Sequence, residues 1–169
     1  VVACEEDPKF APAYEAATIQ VFLGRYEEAI QLFEKAITND VEPVRSLCGV
    51  AVALQLRGDY RGALANIVQA DDRKPGDPLI TLLTANIYLA QGDATNSRTL
   101  LRRAQHVPEM IRKAYLKFID KFVEDKARAR ALSDALSRVI FFGSRGWYQQ
   151  AEQNCNIILK LAPDNTFPY

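Results

Sequence analysis

One spacing in the sequence limits what the chain can fold into more than any other feature. Glycines at positions 24, 58 and 92 are separated by 34 residues and then by 34 again, and three further columns keep the same interval. A fixed period of 20–50 residues is typical of solenoids, in which each repeat stacks on its neighbours. With a looser fourth unit included, the predicted repeat-packing residues are Gly24, Ala29, Phe33, Ala36, Gly58, Ala63, Ile67, Ala70, Gly92, Ser97, Leu101, Ala104, Gly146, Ala151 and Cys155.

The apolar spacing within one repeat is helical. From Tyr26 to Ile37 the apolar residues follow steps of three and one, which places them on one stripe of a helix. Glycine ends a helix at little cost because it accepts the left-handed conformation, so Gly58 closes a preceding helix. Asp59 then stands where a second helix begins, a position that favours an acidic cap. Each unit is therefore predicted to be a helix, a tight glycine turn and a second helix.

The second halves of two units resemble the tetratricopeptide repeat. The stretches LGRYEEAIQLFEKAI and RGDYRGALANIVQA are similar to that family's pattern of glycine, aromatic residue and alanine. Ala94 and Ser97 depart from the pattern in the third unit, and Ile158 departs from it in the fourth. The resemblance implies an all-α, right-handed solenoid of antiparallel helix pairs. It also implies a concave face, lined by the first helix of each pair, that binds peptides or partner helices.

The period breaks once, between Gly92 and the next matching glycine, Gly146. The fourth unit's first helix is expected near 129–142, which leaves 109–127 as an inserted helix. We expect two helices with a bend near 126–129, and one continuous long helix is the alternative. The inserted helix either covers the core of the next unit, fills the concave groove or presents a docking ridge.

The period also predicts how the chain divides. Both ends read as incomplete repeats, so we expect a piece of a longer repeat protein. The predicted units are 10–43, 44–77, 78–108 and 129–165, with the extra helix at 109–127 and partial repeats at 1–9 and 166–169.

Charge and residue counts disfavour several classes of function. Lys plus Arg and Asp plus Glu both total 21, and a net charge of zero is unusual for a nucleic-acid-binding protein. His106 is the only histidine, which leaves one candidate base, and a surface or capping role is expected for it. We therefore expect no enzyme activity, no metal and no cofactor.

Three scattered cysteines bear on the compartment. Cys4, Cys48 and Cys155 form no metal-binding pattern, and we expect them to be buried, reduced thiols. No apolar run is long enough to cross a membrane. The cytoplasm is the expected location, and the periplasm stays an alternative because the chain does not begin with Met.

The implied concave face reads as largely apolar. In the family, some members hold a peptide carboxylate with Lys and Asn, and among the matching positions here only Asn86 fits, so this mode is disfavoured. An apolar face needs a cover, which could be a partner helix, the inserted helix or neighbouring repeats. We expect a protein or peptide partner, with self-association also open. The expected function is a scaffold in a larger assembly, and a peptide-binding chaperone or adaptor and a repeat domain of a longer, active protein are the alternatives. The predicted groove residues are Ile19, Val52, Leu82, Leu83, Asn86, Leu89, Leu136 and Ile140.

Overall fold

The computed structural model describes residues 11–162, and within that range the secondary structure is entirely helical. The prediction of an all-α chain of consecutive helix pairs is confirmed. The helices are α1 (Ala11–Phe22), α2 (Tyr26–Thr38), α3 (Pro43–Arg57), α4 (Tyr60–Arg73), α5 (Pro78–Ala90), α6 (Ala94–Arg103), α7 (Glu109–Phe122), α8 (Lys126–Gly143) and α9 (Tyr148–Leu161).

Tight turns join the two helices of each pair, and glycine supplies the conformation that they need. Gly58 lies between α3 and α4 with φ at +95°, in the left-handed region that side chains with a Cβ avoid. Asp59 follows it and accepts a hydrogen bond from the Gly62 backbone N–H, which caps α4. Asp93 caps α6 in the same way. The glycine and the aspartate together reverse the chain and start the second helix.

The repeating small residues lie where helices meet. Ala29, Ala63 and Ser97 are fully buried or nearly so, and short side chains let neighbouring helices approach closely. Ser97 keeps its hydroxyl satisfied by donating to the Ala85 carbonyl oxygen at 2.9 Å. A hydroxyl can therefore replace the alanine of the other units without leaving a buried polar group unpaired.

The helices that follow the third pair are α7 and α8, with a break between them. Helix α7 ends at Phe122 and α8 begins at Lys126, so two helices replace the alternative of one continuous helix. The break lies slightly before the expected bend at 126–129. Helix α8 packs against α9, and it also packs on α5 and α3, far back in the sequence.

The core consists of two apolar clusters, and α5, α8 and α9 contribute to both. One cluster contains residues of α1–α5 together with Phe141 and Phe142 from the end of α8 and Ala151 of α9. The other contains residues of α5–α9, including Leu132 and Leu136 from the earlier part of α8.

Residues 1–9 and 166–169, predicted as partial repeats, lie outside the described residues, and the division of the chain into units stays a prediction. None of the helices between 11 and 162 is both long and apolar enough to cross a membrane.

Candidate functional site

Helix α8 occupies the face formed by the first helices of the three pairs, α1, α3 and α5. It packs extensively on α5 and less extensively on α3. At its far end, Phe142 meets Phe22 of α1 edge-on, with 6.1 Å between ring centroids. A helix that touches three successive first helices lies across them. In the family that the sequence resembles, the first helices line the concave face, so we call the surface formed by α1, α3 and α5 the concave face; α8 of the same chain covers it.

Aromatic side chains hold the C-terminal end of α8. Phe141 packs edge-on against Phe33 of α2 with 6.1 Å between centroids, and both rings are buried. Phe142 is fully buried and stacks on Trp147, at an interplanar angle of 13°. These rings fix the end of α8 against the first helix pair and connect it to the turn that leads into α9.

A buried polar cluster lies at the centre of the interface between α8 and α3. Gln55 has no exposed surface, and its Nε2 donates to Oδ1 of Asp134 at 2.9 Å. The Ser137 hydroxyl donates to Oε1 of the same glutamine at 2.9 Å. Burial raises the pKa of Asp134 above its ordinary value, against the opposing effects of the Gln55 hydrogen bond and the Arg138 and Arg130 charges. Both the Nε2 and the Oε1 atoms of Gln55 are thus hydrogen-bonded to α8, which fixes the position of α8 along α3.

Two arginines of α8 contact the aromatic residues that define the repeat. Arg138 donates to the Tyr26 hydroxyl at 2.9 Å, and the Arg130 guanidinium lies 5.4 Å from the centre of the Tyr60 ring. Tyr26 and Tyr60 are 34 residues apart and hold the same position in successive repeats. The arginines are eight residues apart, about 12 Å along a helix, which is close to the spacing of neighbouring helices. The spacing of the two arginines along α8 thus approximates the spacing of the repeats.

Arg145 ties the turn after α8 to the first helix. Its Nη2 lies 2.7 Å from Glu15 Oε1, and its guanidinium lies 3.4 Å from the centre of the Tyr14 ring. The Nε and Nη1 atoms of this side chain are buried without a hydrogen-bond acceptor. The contact therefore combines a strong ion pair with two unsatisfied donors.

The predicted groove residues do not line an open surface. Val52, Leu83 and Asn86 are fully buried, and Leu82, Leu89 and Leu136 are buried in the core clusters. Ile140 is half-buried, and Ile19 alone among the eight is exposed. Most of these residues are thus buried within the chain, largely beside α8, and their role in binding a partner stays a prediction. The inserted helix contributes to the cover as well: α7 packs mainly on α6, and its Tyr115 lies beside Asn86.

A recurrence of small residues in the sequence marks α8 as a close-packing helix, although the predicted groove residues did not include it. Ala129, Ser133 and Ser137 recur every four residues, and all three are buried against neighbouring helices. Small residues at that spacing allow close approach, as they do in the repeats themselves. The polar residue Gln55 within an otherwise apolar helix was the second available signal.

An open apolar surface remains at the end of α1. Ile19, Phe22 and Leu23 are 45%, 43% and 53% exposed, and we call these three residues the α1 patch. On the other side of the same helix, Tyr14 and Val21 are buried. A helix that is apolar on both sides is usually covered on both sides. The α1 patch is therefore a candidate contact surface.

Groups suited to metal binding or acid–base chemistry are sparse. Within the described residues no three His, Cys, Asp or Glu side chains come together as a metal site. The Nε2 atom of His106 lies 2.7 Å from the Thr81 hydroxyl, so its contact is with the start of α5. A cavity of about 380 Å³ lies between the starts of α3 and α5, where Arg45 pairs with Glu42 and Lys74 with Asp77. Each of these two cations at the cavity thus has an acidic neighbour.

Stacked antiparallel helix pairs with glycine turns and buried small columns define a helical repeat solenoid. Models of the tetratricopeptide repeat match residues 13–40 and 51–109, which together are about half of the chain. No curated protein and no solved structure matched the chain significantly. The chain belongs to the tetratricopeptide repeat family, as the repeat pattern predicted. Proteins with such repeats are protein–protein interaction scaffolds in general, and the family as a whole is non-catalytic.

Proposed function

We propose that this chain is a non-catalytic scaffold that holds a partner protein at the α1 patch, within a larger assembly. The observation that carries the proposal is the combination of a filled concave face and an exposed α1 patch. Phe22 rests on Phe142, which is fully buried, and Val21 on the other side of α1 is buried as well. Preformed apolar contacts of this kind favour binding, since little side-chain freedom is lost.

The proposed partner offers an apolar stripe on a helix or an extended segment. The three residues of the α1 patch follow the i, i+3, i+4 spacing along one helix, which fits such a stripe. The chain's net charge of zero disfavours nucleic acid as the partner. The buried free thiol of Cys48 agrees with a cytoplasmic location, and the periplasm stays an alternative.

The alternatives differ in what they require of α8. A peptide-binding adaptor that uses the concave groove would need α8 to leave that face first. A repeat domain of a longer protein, with an activity elsewhere, is compatible with the α1 patch as the docking surface for that other part. The proposal places the first contact at the α1 patch because it is open in the arrangement described above.

A site-specific photo-crosslinker at position 23 tests the proposal in the cells that express the protein. We expect one predominant crosslinked protein, and we expect Phe22→Glu to remove that product. The matched control carries the crosslinker at Val68, which is 56% exposed on α4, far from the α1 patch in the sequence. Equal crosslinking at both positions would contradict the proposal, as would a product that survives Phe22→Glu.

Light scattering on the purified chain separates a different partner from a second copy. We expect a monomer across a concentration series. A dimer that Phe22→Glu dissolves would show that the α1 patch binds another copy of this chain, which would overturn the assignment to a different protein.

A further inference from the structure

Helices α8 and α9 form one structural unit. They pack against each other closely along their length, and Arg128 near the start of α8 donates to the Leu161 carbonyl oxygen at the end of α9. Burial of Leu132 and Ile158 in the same cluster adds an apolar contact between the two helices and their surroundings. A displacement of α8 is therefore expected to carry α9 with it.

The connection between this unit and the preceding helices is short, and across it Arg128 lies 5.0 Å from the centre of the Phe122 ring while Val123 is half-buried. Only residues 123–125 separate α7 from α8, and Glu124 and Asp125 are exposed. Asp125 caps α8 by accepting from the Arg128 backbone N–H, so the helix start is stabilised within the unit itself. Contacts between α7 and α8 are few compared with those between α8 and α9. A segment of this kind can act as a hinge.

The face that α8 covers is more polar than the columns of small residues inside the repeats. Ala29 and Ala63 carry no polar side-chain atom, and the Ser97 hydroxyl is paired with the Ala85 carbonyl oxygen. Under α8, in contrast, Gln55 is buried with the Asp134 carboxylate against it. Arg145 adds two buried donors without acceptors at the far end. Buried charge and unpaired donors weaken a docked state relative to apolar packing.

We propose that the α8–α9 unit is a releasable cover of the concave face, which opens about residues 123–125 while α1–α6 stay folded. Opening uncovers Gln55 and Phe33, and it takes Phe142 away from Phe22. The proposal goes beyond the scaffold function, because it concerns the isolated chain and needs no partner. A partner on the α1 patch would favour the closed state, since that patch rests on Phe142.

The chain carries its own reporter of opening. Trp147 is the only tryptophan, and it stacks on Phe142 at the end of α8 that lies against α1. Trp147 is also half-buried against the cluster formed by α1–α5, so undocking exposes more of its ring to water, its emission shifts to longer wavelength and a soluble quencher reaches it more readily. The signal comes from the cover and not from the repeats.

Native-state hydrogen exchange on the full chain, at urea concentrations below global unfolding, tests the proposal. We expect the amides of α8 and α9 to exchange together through an opening that leaves α3 and α4 protected, with the Trp147 emission shifting over the same urea range. If the amides of α8 and α9 exchange only together with those of α3 and α4, in the global transition, there is no separate cover and the proposal fails.

Two substitutions sharpen the measurement. Gln55→Leu leaves Asp134 and Ser137 without their partner, and we expect exchange in α8 and α9 to become about tenfold faster or more. The matched control is Gln69→Leu on the exposed side of α4, which should leave exchange in α8 unchanged. A loss of protection in α3 and α4 equal to that in α8 would contradict the proposal.

Asp134→Asn is expected to stabilise the docked state of α8 and α9, so this test does not rely on a variant that weakens the fold. It keeps an oxygen acceptor for Gln55 and removes a buried charge. We expect slower exchange in α8 and α9 at neutral pH. Exchange as fast as in the parent, or faster, would show that buried charge does not loosen the cover.

Discussion

A methyl group added at Gly49 of α3 should destabilise the protein, although alanine is the better helix former. A Cβ built at this position would lie 2.5 Å from Cζ of Phe33 and 2.7 Å from both Cε atoms of the ring. Phe33 cannot easily yield, because it is fully buried with the Tyr14 ring at 5.4 Å and the Phe141 ring of α8 at 6.1 Å. The substitution therefore presses on both the first repeat and the cover.

The expected magnitude follows from two opposing effects. Overpacking a dense core usually destabilises by about 1–3 kcal/mol, and contact with three ring atoms places this case at about 2–3 kcal/mol. Replacing glycine by alanine within a helix contributes about 1 kcal/mol in the favourable direction. The free energy of unfolding of Gly49→Ala should thus fall by about 1–2 kcal/mol. Urea unfolding followed by circular dichroism at 222 nm measures it.

A matched variant and a double mutant isolate the cause. Gly143→Ala in α8 meets nothing within 4 Å, so it should leave the stability unchanged or raise it by up to about 1 kcal/mol. Shortening the ring with Phe33→Leu should remove most of the penalty of Gly49→Ala, which a double-mutant cycle detects as a coupling of about 1 kcal/mol or more. A Gly49→Ala protein as stable as its parent would refute the packing account.

Three further predictions test the helix caps, the buried acid and the thiols. Asp59→Ala removes the cap of α4 and should lower the free energy of unfolding by about 1 kcal/mol, measured by urea unfolding, with Asp71→Ala at an exposed position as the control. Burial raises the folded-state pKa of Asp134, which lies beside Arg130, Arg138, Gln55 and Tyr60. The stability that this carboxyl contributes is therefore fully present below its unfolded-state pKa and is lost as the pH rises through its folded-state pKa. The difference in free energy of unfolding between Asp134→Asn and the parent should widen from about pH 4 to pH 7, and a pH-independent difference would contradict the assignment. Burial raises the pKa of Cys48 to about 12, so peptide mapping after a short alkylation should find Cys155, which is half-buried, labelled well before Cys48.

Local sequence signals were enough to predict the repeats. The glycine at position 58 and the aspartate after it determine where one helix ends and the next begins, and both effects act within a few residues. The small columns, such as Ala29 and Ala63, predicted the close contacts between neighbouring helices because these contacts recur with the period. Sequence periodicity predicts well the contacts that repeat along the chain.

The position of α8 could not be predicted in the same way. Its apolar stripe, with Leu132 and Leu136, shows which side is buried, but an apolar stripe does not identify the helix that it packs against. The contacts that decide this, from Asp134 to Gln55 and from Arg138 to Tyr26, join residues about 80 and 110 positions apart and occur once. The repeat pattern therefore left open what covers the first helices, and the cysteine at 155, which was expected to be buried, is half-buried.

The central claim of this account is that α8 fills the concave face of the solenoid, and nuclear Overhauser contacts between aromatic side chains test it most directly. With the phenylalanine rings assigned in the full chain, we predict cross-peaks from Phe142 to Phe22 and from Phe141 to Phe33, whose ring centroids are 6.1 Å apart in each pair. Contacts of α8 with α9 alone, and none with α1, α2 or α3, would show that the concave face is open and would contradict the account.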